Sequence, residues 1–440
     1  MNRLLVAILA VAVVVRLGAI LATWGSLADD PDHYRAVAEN LWNRGMFGYY
    51  EPRMGPPADI PRSTAYRPPL YPLLLAPLAP LGSAVPIGIA SFHLAMGVAT
   101  VLLTWHLARR AGLERWAVLA AVLVAFDPIL LRQSTSVMTE TMAAFLAVAG
   151  MAVLARAMER PTVPLAAASG ATFALAALCR PTFLPWLVLC GVLVFWAAWR
   201  AAIHAKRAAK MVAVYFAAAA VLLAPWAVRN ARVLGKPLLT TTHGGYNLLL
   251  GNNPWFYEYL RTAAWGEPWF SGDLDRWWFA TMPRGGPEDE VAADRLAYEK
   301  AKEFIADQPA MFAYSSLVRV ARLYSPFPHR LPGEGRGAGL ARHAVAAWYL
   351  VELGLMALGA VVLVRNWRGG TWKSRAVWLP SILLIAVFTG VHALYWTDMR
   401  MRAPLAPVLA ILAAAGARWL FRRKGEGDMR DGAGTGCTSA

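Results

Sequence analysis

Leu4-Leu-Val-Ala-Ile-Leu-Ala-Val-Ala-Val-Val-Val-Arg-Leu-Gly-Ala-Ile-Leu-Ala-Thr-Trp24 carries one charge, Arg16, in a run about as long as the ~20 residues a helix needs to cross a bilayer. With Arg3 in front, the run has the outline of a secretory signal. No clear small-residue cleavage site precedes Asp29, however, so it is read as a retained first membrane helix. Snorkelling or packing toward other helices suits Arg16 better than a direct catalytic role.

Outward from this run, apolar stretches that span or nearly span recur at 84–108, 116–131, 134–154, 163–178, 183–199, 211–226, 344–364, 377–396 and 403–421, ten with the first. At 58% apolar and 16% charged residues, the chain reads as an integral membrane protein rather than a soluble multidomain one. Its basic clusters lie at Arg109-Arg110 with Arg115, Arg156 with Arg160, Arg200 to Lys210, Arg365 to Arg375, and Arg422-Arg423-Lys424. All fall on the cytoplasmic side if the N-terminus is cytoplasmic and all ten runs cross. The net charge of +16 is therefore a topology signal. No basic stripe is interleaved with exposed aromatics, which argues against nucleic-acid binding. A further run at 309–324 is interrupted by Arg319 and Arg322, and is expected to be an amphipathic helix at the outer surface, capped by Asp307.

This topology divides the chain into a transmembrane module at 1–232 with a first outer loop at 25–83, an outer-face loop domain at 233–343, C-terminal transmembrane helices at 344–422, and a Gly-rich, disordered cytoplasmic tail at 423–440. Trp255, Trp265, Trp269, Trp277 and Trp278 in the second outer segment suit stacking on sugar rings, and equally a domain core or an interfacial belt. Cys179 and Cys190 lie in apolar runs and Cys437 in the tail, which gives neither a disulfide framework nor metal-ligand spacing. The scattered histidines add no metal motif. Gly244-Gly-Tyr-Asn-Leu-Leu-Leu-Gly-Asn-Asn253 lacks the Lys-Ser/Thr and the strand-to-helix context of a nucleotide loop. Neither cofactor nor metal is expected.

Acids and arginines gather on the expected outer side. After Pro31, the residues Tyr34, Val37, Ala38 and Leu41 recur at helical spacing, and Asp30 stands at the start of that helix, where a carboxylate is a natural cap. In Tyr66-Arg67-Pro68-Pro69-Leu70-Tyr71-Pro72 the prolines stiffen the backbone around Arg67, fixing a guanidinium near the bilayer where it suits a phosphate or lipid headgroups. Glu140 falls in the apolar part of a helix near its outer end, a costly position unless it faces a polar cavity. Arg180 and Arg229 sit at helix breaks on the same side.

These residues carry a resemblance. Asp30-Pro-Asp-His-Tyr34 with Ala38-Glu-Asn-Leu41, Tyr66 to Pro72, Thr139-Glu140, Arg180-Pro181, Pro225-Trp226 with Arg229-Asn230, and Gly245-Tyr-Asn-Leu with Gly251-Asn252 resemble the polytopic GT-C glycosyltransferases. The closer likeness is to the family 39 type, related to protein O-mannosyltransferases and to the aminoarabinose transferases of lipid A. The first 260 residues carry it well, and Tyr395 to Pro407 only generically. The resemblance implies an all-α polytopic membrane protein, a GT-C-like bundle of about ten transmembrane helices with outer-face amphipathic helices and a small outer domain. It further implies a polyprenyl-phosphate-linked sugar as donor, transfer on the outer face of the plasma membrane, and Asp30 as base, with Asp29 and Asp32 close by. Arg67 would hold the donor phosphate, assisted by Arg180 or Arg229, with Glu140 in support and Tyr34, Tyr66, Asn230 and Asn252 at the substrate. The acceptor would be a lipid, a glycan or a protein. One base and a phosphate leaving group predict direct displacement with inversion. A transporter or flippase of a polyprenyl-linked saccharide is the rival from another class, although its polar residues should lie near the midplane. A polysaccharide polymerase or ligase is the rival enzyme.

Overall fold

The computed structural model describes residues 3–50, 61–264, 266–283, 287–329 and 335–432. The first helix is α1 (Arg3–Ala22), followed by α2 (Tyr34–Arg44) and a two-stranded antiparallel pair of β1 (Gly48–Tyr49) and β2 (Arg62–Ser63), with Gly48 opposite Ser63. Next come α3 (Leu70–Leu75), α4 (Val85–Arg110), α5 (Ala117–Phe126), α6 (Pro128–Gln133), α7 (Glu140–Glu159), α8 (Val163–Cys179), α9 (Leu184–Arg200) and α10 (Ala205–Leu234). Five shorter helices follow: α11 (Gly244–Gly251), α12 (Pro254–Thr262), α13 (Gly272–Thr281), α14 (Pro287–Asp307) and α15 (Pro309–Leu323). The chain closes with α16 (Arg336–Arg365), α17 (Trp372–Leu394) and α18 (Ala406–Gly432).

Among the described residues, eight helices have the length and apolar composition to cross a membrane, and α8, at 17 residues, is a shorter apolar helix. The run at 116–131 does not form one span. Pro128 removes the backbone donor that would continue α5, and Asp127 caps the next helix by accepting from Leu130 N, so the run splits into α5 and α6. This break leaves the last carbonyls of α5 without intrahelical partners. Arg16 supplies the donors, at 3.2 Å to Val124 O and 3.3 Å to Ala125 O, and is fully buried in doing so. It packs inward and does not snorkel.

The core is built around α7, of whose 20 residues 15 are buried, most of them Ala, Gly, Met, Leu or Val. Small residues let helices approach without clefts where no water is available to fill them. Backbones touch between α16 and α18, where a Cβ on Gly359 would run into Leu412 O and one on Gly416 into Leu355 O, and between α8 and α10, where one on Gly170 would run into Tyr215 O. Helices α11, α13 and α14 enclose a second small core of Leu249, Leu274, Trp278, Met282, Ala293, Ala297 and Ala301.

Two expectations need correction here. Asp307 does not cap α15: it ends α14, and Gln308 precedes α15 with no side-chain cap bond. That helix is two-faced as expected, with Arg319 and Arg322 buried on one side and Tyr314 and Leu317 exposed on the other. Arg319 donates to Ala393 O at 2.9 Å and to Gly251 O, tying the ends of α17 and α11 together. At the other end of the chain, α18 continues as helix to Gly432, past the point at which the sequence reading begins a disordered tail. Trp265 and Cys437 lie outside the described residues.

Replacing Gly359 by Ala should force α16 and α18 apart at a cost of ~1–3 kcal/mol, the usual range for overpacking. Gly354→Ala in the same helix has open space around its Cβ and serves as the control. Thermal unfolding in detergent should show a clear fall in Tm for the first variant and no fall for the second.

Candidate active site

Polar side chains from many elements meet at one end of the bundle, where α1, α8, α10 and α17 finish and α4, α7, α9 and α18 begin. The segment before α2 sets the first wall. His33 adopts a left-handed conformation at φ 60°, with its ring stacked on Tyr49, and this turn starts the helix. Asp30 Oδ2 accepts from Ala36 N at 2.8 Å, so Asp30 does cap α2, while its Oδ1 is buried without a hydrogen-bond partner.

Arg67 is fixed from three sides. The following proline disfavours helical backbone at Arg67, the guanidinium donates to Asp32 O at 2.9 Å and Asp32 Oδ1 at 2.7 Å, and it lies over the rings of Tyr34 and Tyr66. Burial pushes both phenols above their ordinary range, so Tyr34 and Tyr66 stay neutral O–H groups.

Glu140 forms the floor. It opens α7, is 2% exposed, and places Oε1 at 3.2 Å from Arg180 Nη1 and 3.9 Å from Arg400 Nε. Arg400 is held in turn by Asp398 at 3.2 Å. A carboxylate this deep is tolerable only because two guanidiniums compensate it. The cavity enclosed by these groups has a volume of about 580 Å³, and Asp32, Arg67, Glu140, Arg180 and Arg400 are its charged lining, with His243, Tyr298 and Tyr395 nearby. Burial, then Arg67, holds the His243 imidazole far below its ordinary pKa, so it is neutral. Among the described residues no group of His, Cys, Asp and Glu is arranged to hold a metal.

A second cavity of about 500 Å³ lies behind the same wall and shares Tyr66 and Arg67 with the first. Neighbouring residues face opposite ways: Asp32 and Tyr34 line the first, Pro31 and His33 the second. Asp275, Glu290, Asp294, Tyr246 and Trp278 complete the second chamber. A third depression, of about 510 Å³, is an apolar groove between α9 and α10 lined by Leu187, Phe216, Leu223, Val228 and Leu239. It adjoins the first cavity, for Leu239 precedes Thr240 of that wall and Leu187 follows Leu184 by about one turn.

Tyr34, Tyr66, Arg67, Glu140 and Arg180 thus come together with Asp32, one of the alternatives for the base, while Asp30, Arg229, Asn230 and Asn252 do not line this cavity. Arg229 donates to Thr64 O at 2.7 Å and Phe47 O at 2.8 Å, fastening α10 to the first loop. Asn230 donates to Leu238 O at 2.9 Å. Asn252 is fully buried, donates to Leu248 O and Leu394 O, and accepts from Arg319. Of the tryptophans, Trp269 packs against Phe256 and Trp396, and Trp255 and Trp277 against each other, as domain core, while Trp278 alone of the four reaches a cavity described above. Arg400 went unread in the sequence, although a basic residue on the side opposite the other basic clusters was a usable signal.

Glu290 allows a test of this arrangement by pH. It accepts from Ala65 N at 2.8 Å and from the Thr242 hydroxyl, and burial raises its pKa despite these bonds. A raised folded-state pKa means that Glu290 contributes stability while protonated, at low pH, and loses it as pH rises through the folded value. Glu290→Gln keeps an acceptor and never ionises. Its Tm relative to the native chain should therefore climb between pH 5 and pH 8, as followed by calorimetry or fluorescence.

Comparison with known proteins gives a family match over part of the chain and a similar fold. Residues 79–234 match the dolichyl-phosphate-mannose-protein mannosyltransferase family. The oligosaccharyltransferase of Archaeoglobus fulgidus superposes over 96% of this chain with a TM-score of 0.55 and 18% identity, and the chain spans 50% of that protein's length. ArnT from Cupriavidus metallidurans, solved with undecaprenyl phosphate, aligns over 94% of this chain and 77% of its own at 17% identity and a TM-score of 0.39. No curated protein sequence matches. The family match covers residues 79–234, well under half of the chain, and the likeness to the oligosaccharyltransferase extends a shared fold over nearly all of it.

Proposed function

We propose that this chain transfers a sugar from a polyprenyl-phosphate donor to an acceptor at the outer face of the plasma membrane, with inversion at the anomeric carbon. One observation carries the reading: Arg67, Arg180 and Arg400 converge with two carboxylates, Asp32 and Glu140, on a single cavity at one end of an apolar bundle. Fixed guanidiniums are matched in charge and geometry to a departing phosphate, and cost no reorganisation when its charge develops. The adjoining apolar groove suits the polyprenyl chain. In-line displacement needs the nucleophile opposite the leaving group, and the second cavity, across the wall of Tyr66 and Arg67, is placed for an acceptor hydroxyl or amine. That acceptor is a lipid, a glycan or a protein.

The base lies in the segment Asp30 to Asp32. Asp30 has a buried carboxylate oxygen that accepts nothing, which suits proton abstraction. A second assignment, to Asp32, is favoured by its place on the cavity wall, although Asp32 is also the partner of Arg67.

Transfer from radiolabelled polyprenyl-phosphate mannose, glucose and aminoarabinose in membranes tests both. We expect the base variant, Asp30→Asn, to lose roughly 10²–10⁴-fold in rate while donor still binds. If Asp32→Asn shows that loss and Asp30→Asn does not, the base is Asp32. Arg67→Ala and Arg400→Ala should weaken donor binding as well. No transfer from any donor by the native chain would overturn the glycosyltransferase reading, and flipping of labelled lipid without transfer would favour the transporter.

A further inference from the structure

Gly244-Gly-Tyr-Asn247 opens α11 between the two chambers. Gly244 and Asn247 line the first cavity, and Tyr246 lines the second. Both glycines seat the helix against α14: a Cβ on Gly244 would run into the Tyr298 hydroxyl, and one on Gly245 into Asp294 O. Gly245 N donates to Asp294 Oδ1 at 2.7 Å, and Asn247 O accepts from Trp396 N at 3.0 Å. The backbone of α11 is thus fixed to α14 and to the segment after α17, with no help from the Asn247 side chain.

That side chain is left over. The Asn247 carboxamide makes no hydrogen bond to any described residue, and, half-buried in the cavity wall, it keeps both its oxygen and its nitrogen open. Tyr298 of α14 and Tyr395 just after α17 line the same cavity, with their hydroxyls 3.4 Å apart. So long a contact spends one proton at most and leaves each oxygen able to bond further. Trp396 adds an indole, and none of these four groups carries a formal charge.

The charged lining comes from other segments. Both of its carboxylates are already paired, Asp32 with Arg67 at 2.7 Å and Glu140 with Arg180 and Arg400 at 3.2 and 3.9 Å. Among the described residues, three guanidiniums against two carboxylates leave the cavity one positive charge in excess. That excess matches the single negative charge of a phosphodiester, and no unpaired carboxylate remains to receive a second cation. A carboxamide, by contrast, donates and accepts at once, so its two ends can take neighbouring hydroxyls, and phenols do the same singly. Rings with an apolar body and a polar handle suit a sugar, which has an apolar C–H face and a hydroxyl rim.

We infer that Asn247, Tyr298 and Tyr395 form the sugar subsite of the first cavity, and that the sugar they take is hydroxyl-bearing and uncharged, without an amino substituent. The inference rests on the donor reading proposed above: the arginines hold the phosphate, and the neutral wall takes the sugar attached to it. An ammonium on that sugar would meet three guanidiniums with no carboxylate free to offset it, in a site where charges are poorly screened.

Native mass spectrometry on the purified full chain separates the sugar's share of binding from that of the phosphate without requiring transfer. The probes are the polyprenyl-phosphate esters of mannose, glucose and aminoarabinose, with polyprenyl methyl phosphate as a diester that has no sugar. Mannose or glucose should tighten binding roughly tenfold over the methyl ester, the scale of one or two net hydrogen bonds, and aminoarabinose should not. Asn247→Ala should lose most of that gain, and Tyr298→Phe, which keeps the ring, a several-fold part of it. Asn247→Asp supplies an unpaired carboxylate and should turn the preference toward aminoarabinose. A melting temperature near the native one shows that each variant is folded. Tighter binding of aminoarabinose than of both hexoses by the native chain would overturn the uncharged-sugar assignment. No gain from either hexose, or a gain that survives in both Asn247→Ala and Tyr298→Phe, would overturn the subsite while leaving the donor reading intact. If the methyl ester itself does not bind, the donor reading fails and takes this inference with it.

Discussion

Helix ends inside an apolar bundle have to find donors for their last carbonyls, because no water is at hand to supply them. This chain breaks its helices often, and meets the resulting demand with arginine. Arg16 serves the end of α5, Arg319 the ends of α11 and α17, Arg402 the turn after α15 through Leu323 O and Ser325 O, and Arg375 the turn after α16. The guanidinium suits the task because its five donors can reach two or three carbonyls without ever losing charge. Connections that would otherwise be loose are thereby held rigidly, and Arg229 does the same for the first loop.

The candidate active site follows from what this scheme leaves over. Arg67, Arg180 and Arg400 have carboxylate partners, Asp32 and Glu140, instead of being consumed entirely by helix-end carbonyls. An ion pair can be opened by an incoming anion in a way that a carbonyl clamp at a helix end cannot, since the carboxylate competes with the anion for the same fork. Glu140 matters here for its depth: at the start of the central helix it fixes Arg180 and Arg400 on one level, so two basic groups from distant parts of the chain share one floor.

Much of the architecture was legible in the sequence because run length and charge asymmetry are local properties. The first helix, the outer helices and the basic clusters were all of that kind. The break at Asp127-Pro128 was readable in principle, since a proline ends a helix wherever it stands. The arginines were harder. Arg67, Arg180 and Arg229 each precede or follow a helix break, yet the first two face a cavity and the third grips backbone oxygens. Nothing within a few residues of any of them distinguishes these fates, which are decided by partners 35 residues away for Arg67 and 165 and 182 residues away for Arg229. Asp30 and Asp32 pose the same difficulty at shorter range. Which of them faces the cavity depends on the left-handed turn at His33, an unusual conformation for a residue other than glycine, and one that spacing did not reveal.

The alternation of residues 31 to 34 between two chambers has a consequence for how this segment can change over time. A substitution at one of these positions alters one chamber and spares the other. Loss or gain of a single residue would exchange the two faces, turning Asp32 away from Arg67 and presenting the His33 side instead. Length in this stretch is therefore constrained more tightly than chemistry, and lineages descending from such a protein can diverge here by replacement long before they can diverge by insertion.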